Sequence, residues 1–113
     1  MIYIVTKYYH KLVRDKIPEI IESEGKECKY TIIENNNEYR KKVFLKFEEE
    51  FKELQKAKYV HEIAEELADV LELVYTLADI YNVDMENVKH LMNVKSVKKG
   101  RFIKKVFLHA VTE

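Results

Sequence analysis

Between Phe47 and Glu72 the chain places acidic side chains at helical spacing: Glu49, Glu50 and Glu53, then Glu66 and Asp69. The pattern is E-E-x-x-E, twelve residues, E-x-x-D. Residues three apart stand on one face of a helix, one turn above the other. Two such helices folded into a hairpin would bring Glu50, Glu53, Glu66 and Asp69 together. Carboxylates held close raise each other's pKa and repel unless a cation joins them. Oxygen donors of this kind suit hard divalent ions such as Mg²⁺. The competing reading is bland: in a chain that is 35% charged, a run of Glu is usually a solvated face. Glu66 argues against it. On a helical wheel it falls among Ile63, Val70, Leu73 and Leu77, where a carboxylate is costly to bury without a partner. Glu48, Glu65 and Glu72 have no such support and read as surface, whereas Glu62 lies one turn before Glu66 on the same side.

Two helices must hold these groups. The first is expected from about Glu38 to Ala57, with Val43, Phe44, Phe47, Phe51 and Leu54 on one arc. Glu50 falls at the edge of that arc, and Glu53 and Glu49 lie further round. After a turn over Lys56–Tyr59, the second helix is expected from Val60 to about Tyr81. Its apolar residues cover more than half its circumference, which marks the centre of a bundle. Other elements flank this hairpin. Met1–Tyr9 and Cys28–Glu34 suit short strands or extended arms. Asp15 and Pro18 suit the start of a short helix that Gly25 stops. Asn35–Asn37 offers a turn and a cap. Asp84 caps a further helix, Met85 to about Lys98, which Gly100 ends, and Phe102–Val111 suits a closing strand or arm.

With two Gly, one Pro and abundant Glu, Lys and Leu, the composition favours long helices in a single domain over residues 1–113. Twenty basic and twenty acidic residues cancel, so no global charge points to nucleic acid as a partner. The lone Cys28 excludes an internal disulfide and a Cys-based zinc site, and fits a reducing compartment. No apolar run approaches the roughly 20 residues of a membrane span, and Lys7, Lys11 and Arg14 follow the apolar start too closely for a signal peptide. A cytoplasmic protein is expected, with no membrane partner.

The carboxylate pattern resembles the signature of the all-α NTP pyrophosphatase superfamily, which includes MazG-type enzymes and phosphoribosyl-ATP pyrophosphohydrolase. Lys11–Ile21 (KLVRDKIPEII) resembles the opening of a phosphoribosyl-ATP-pyrophosphohydrolase-like, house-cleaning subfamily. Lys95–Leu108 resembles its closing segment of basic residues, glycine and phenylalanine. The resemblance implies an all-α fold in which a helical hairpin completes a four-helix bundle by dimerising or assembling further. It implies Mg²⁺-dependent hydrolysis of a nucleoside triphosphate to monophosphate and pyrophosphate, with Mn²⁺ able to substitute. Position by position, Glu50, Glu53, Glu66 and Asp69 match the metal ligands, and Glu49 is an additional acid. Glu49 or Glu53 would accept the proton of the attacking water. Lys11, Arg14, Lys16, Lys95, Lys98, Lys99 and Arg101 fall where basic residues would meet phosphates. Two positions depart from the pattern: His10 stands where Asn is expected, and Arg101 where a small residue is common.

Read alone, the closing lysines would be helix-end cations and solubilising charge. The opening cations crowd a helix start, which favours anions. His10, His61, His90 and His109 have no ligand spacing. Two rivals accompany the nucleotide-clearing reading: phosphoribosyl-ATP hydrolysis in histidine biosynthesis, and a non-catalytic helical module whose acidic stripe binds a partner.

Overall fold

A computed structural model describes residues 3–113 and contains four helices: α1 (Ile17–Ser23), α2 (Asn36–Lys56), α3 (Val60–Ile80) and α4 (Met85–Lys99). Among the described residues there is no strand. The fold is all-α, as the composition suggests. Cys28–Glu34 and the described part of the expected Met1–Tyr9 segment form no strand, because no neighbouring strand is there to pair with them, and Phe102–Val111 opens with a bend at Phe102 and a turn at Ile103 and Lys104, with Lys105 at φ 60°. Met1 and Ile2 lie outside the described residues.

Local chemistry sets most helix ends. The Asn35 side chain accepts from the backbone N–H groups of Asn37 (2.8 Å) and Glu38 (3.1 Å), so α2 starts two residues before Glu38. Asp84 accepts from the N–H of Glu86 at 2.9 Å and starts α4. Gly25 (φ 80°) and Gly100 (φ 82°) adopt the left-handed backbone that releases the chain after α1 and α4. Asp15 does not cap α1. It lies in a turn, Lys16 holds the cap position, and no side chain caps that helix. Asn35→Ala is expected to cost about 1 kcal/mol, measurable by urea titration of the full chain.

Among the described residues, α2 and α3 are the one pair of helices packed along their length. They form the hairpin, with the turn at Ala57–Tyr59. At the ends of the hairpin, the Arg40 guanidinium lies 5.5 Å from the Tyr81 ring, and the Lys89 ammonium of α4 lies 5.7 Å from the Tyr75 ring of α3. The interior is small. Val43 is fully buried, Leu73 and Ala78 nearly so, and the only buried charged residue among those described is Glu50. Phe44, Phe47 and Phe51 form a ladder of rings along α2, yet Phe44 and Phe51 are exposed, as are Leu67 and Leu71 on α3. The radius of gyration is 19.5 Å, against about 13 Å for a close-packed chain of this length. No helix of the described residues is long and apolar enough to cross a membrane.

Candidate metal centre

The hairpin brings three of the four expected ligands together. Glu50 on α2 and Glu66 and Asp69 on α3 each direct a carboxylate oxygen into one cluster, all within 4.8 Å of one another. Glu50 was expected at the edge of an apolar arc but is only 8% exposed, because α3 closes over that face. Glu66 is half-buried, and its Oε2 is sealed from solvent with no hydrogen-bond partner. Glu53 is exposed and lies outside the cluster, although its charge is near enough to raise the Glu66 pKa.

Two of the three clustered carboxylates have a cation. Arg14 Nη2 donates to Asp69 Oδ1 at 2.7 Å. Lys46 Nζ lies 3.5 Å from Glu50 Oε1 and 3.1 Å from Glu49 Oε2. Glu49 is also met by Lys11 Nζ at 3.3 Å. Burial would push the Glu49 carboxyl up, but Lys46 and Lys11 together hold it below its ordinary value. Asp69 correspondingly raises the Arg14 guanidinium. Glu66 has neither cation. Its contact with Glu50, its desolvation and the charges of Glu50, Asp69 and Glu53 raise its pKa from 4.5 to about 7. The cluster is therefore neutralised on two sides and short of positive charge on the third. A sealed, unpartnered oxygen beside two further carboxylate donors fits a hard divalent cation.

The opening basic segment reaches this centre through Lys11 and Arg14, whereas Lys16 is exposed and makes no ion pair among the described residues. Lys95, Lys98, Lys99 and Arg101 lie at the far end of α4 and just beyond it, and none pairs with an acidic side chain within the described chain. Lys46 is not among the residues that the acidic and basic motifs single out, although it stands three residues before Glu49 and four before Glu50, the spacing of helical ion pairs. His10 has φ 46°, in the left-handed region where Asn, Asp and His are enriched. The backbone thus accounts for an Asn-like position there.

Glu66 also sets a pH dependence. Below its unfolded pKa of 4.5 the group is protonated in both states, and the stability it contributes is fully present. As pH rises from there through about 7, the folded state holds a proton that the unfolded state has lost, and this contribution disappears. A divalent cation competes with the same proton. Mg²⁺ affinity is expected to rise from about pH 6 to about pH 8, with more protons released on binding at the lower pH. Calorimetry in buffers of different ionisation enthalpy measures that release.

No protein-family model matches this chain, and neither a curated protein nor a solved structure matches it.

Proposed function

We propose that this chain is a Mg²⁺-dependent nucleoside triphosphate pyrophosphohydrolase that clears the nucleotide pool, working as a homodimer or larger homo-oligomer in a reducing, aqueous compartment. The observation that carries the reading is the Glu50–Glu66–Asp69 cluster with the unpartnered, buried Glu66 Oε2. The resemblance of the acidic pattern and of KLVRDKIPEII to the MazG-like enzymes supports it from the sequence.

Glu50, Glu66 and Asp69 would hold the cation, with Glu53 joining from the next turn of α2. Bound there, Mg²⁺ would neutralise charge developing on the phosphates during in-line displacement. The chain's own groups do the rest. Arg14 and Lys11 sit against Asp69 and Glu49 and are positioned to turn to phosphate oxygens. Lys46 and Lys11 hold the Glu49 pKa low, which weakens Glu49 as acceptor of the attacking water's proton and leaves that role to Glu53, which carries no ion pair among the described residues. Assembly would cover the exposed faces of α2 and α3, and would bring Lys95, Lys98, Lys99 and Arg101 of one copy near the carboxylates of another.

The test is a panel of ordinary, damaged and phosphoribosyl nucleotides, with and without Mg²⁺, and with products identified. Pyrophosphate and monophosphate are expected, and only with a divalent cation. Release of single phosphates would remove the reaction, and turnover confined to phosphoribosyl-ATP would give the rival enzyme. No turnover at all, together with a melting temperature indifferent to Mg²⁺, would leave an interaction module.

A further inference from the structure

The opening arm does more than deliver Lys11 and Arg14. It lies along α2 and encloses an open cleft of about 500 Å³, lined by Tyr8, Tyr9, His10 and Lys11 from the arm and by Lys42 and Lys46 from α2. Glu49 also lines it, and through Lys46 the cleft abuts the carboxylate cluster. Three lysines face one carboxylate in this lining, so the cleft is net positive. Its aromatic side chains are solvent-facing: Tyr8 is 74% and Tyr9 61% exposed. The rings of Tyr8 and His10 are nearly parallel, 10° apart with centroids at 5.7 Å. Tyr9 lies within reach of two cations, Lys7 at 5.1 Å and Lys11 at 5.6 Å. His10 holds its ring there at the expense of a left-handed backbone, a conformation that persists where the surroundings or a function require it. Lys42 is exposed and has no ion pair among the described residues, so its charge is available.

We propose that this cleft is the nucleoside subsite: an aromatic base stacks on Tyr8 and His10, and Lys42 and Lys11 take the adjoining phosphate and direct the phosphate chain past Glu49 to the carboxylate cluster. The inference rests on the pyrophosphohydrolase reading for the direction of the phosphate chain, but not for the binding of base and phosphate. Planar faces beside cations select a ligand that is both flat and anionic. The volume suits one mononucleotide.

The experiment titrates the full chain in EDTA with AMP and separately with inorganic phosphate, followed by calorimetry and by the tyrosine resonances. AMP is expected to bind about tenfold tighter than phosphate. Tyr8→Ala is expected to remove that advantage while leaving phosphate binding as it was, and Tyr8→Phe to keep it. Lys42→Ala should weaken both ligands. His10→Asn, which suits the same backbone conformation but lacks the ring, should weaken AMP alone. Equal affinity for AMP and phosphate, or an AMP affinity unmoved by Tyr8→Ala and His10→Asn, overturns the subsite. With Mg²⁺ and a nucleoside triphosphate, Tyr8→Ala should raise KM about tenfold with kcat unchanged. Hydrolysis with an unaltered KM sinks the subsite and leaves the activity standing. Tyr8-dependent AMP binding without any hydrolysis sinks the activity and supports the subsite.

Discussion

Glu66→Gln is expected to lower nucleoside triphosphate turnover by on the order of 10³-fold or more, and also to make the metal-free protein more stable above neutral pH. The two effects share a cause. Glu66 contributes the sealed Oε2 and is the one member of the cluster without a cation. Its negative charge is unfavourable when the site lacks an ion, which is why its pKa rises to about 7. Glutamine keeps the shape and one carbonyl oxygen but loses the charge, so repulsion from Glu50 and Asp69 is relieved. The same loss removes the donor that a divalent cation needs most. Melting curves with EDTA and with Mg²⁺, from about pH 5 to about pH 8, read both signs. The wild type should gain stability from Mg²⁺ through binding to the folded state alone, and the variant should gain almost none. Wild-type turnover by the variant would end the proposed mechanism. A variant less stable than wild type in EDTA would make Glu66 a structural residue instead.

The second large effect is expected from Leu67→Glu combined with Leu71→Glu. These leucines stand one turn apart on α3 and are 52% and 54% exposed in the single chain. If a second copy covers them, each contributes roughly 1.5–3 kcal/mol of burial, and a two-fold interface counts each twice. Two charges per copy should therefore reduce the assembly to a species of 13.6 kDa. Turnover should fall with it, since Lys98, Lys99 and Arg101 make no ion pair with the carboxylates of their own chain among the described residues and would meet those of another copy in the proposed assembly. Light scattering gives the mass, and the wild-type melting temperature should rise with protein concentration. A wild type that stays at 13.6 kDa at tens of micromolar would dispose of the assembly.

What could be read from the residues was local. Asn35, Asp84, Gly25 and Gly100 act through their own backbone and side chain, and the helix ends follow them within a residue or two. The long helices follow from apolar periodicity, and with them the convergence of Glu50, Glu66 and Asp69. The misses are tertiary. Asp15 could cap a helix by type, but the turn at Asp15 and Lys16 gives the position to Lys16. The wheel put Glu50 at a margin, and only the approach of α3 buries it. Glu53 keeps the spacing of a ligand, and its exposure, one turn from the cluster, is likewise set by how the two helices meet. The cleft under Tyr8 and His10 depends on where an irregular arm lies, and no periodicity encodes that.

The closing arm bears on the life of the protein in a cell. Phe102, Ile103, Val106, Phe107 and Leu108 stand bare in the irregular segment after α4, Phe102 completely so. Exposed apolar stretches of this kind attract chaperones and proteases when nothing covers them. If the proposed assembly covers this arm, a copy made in excess would be held or degraded, and its abundance would track how readily it finds another.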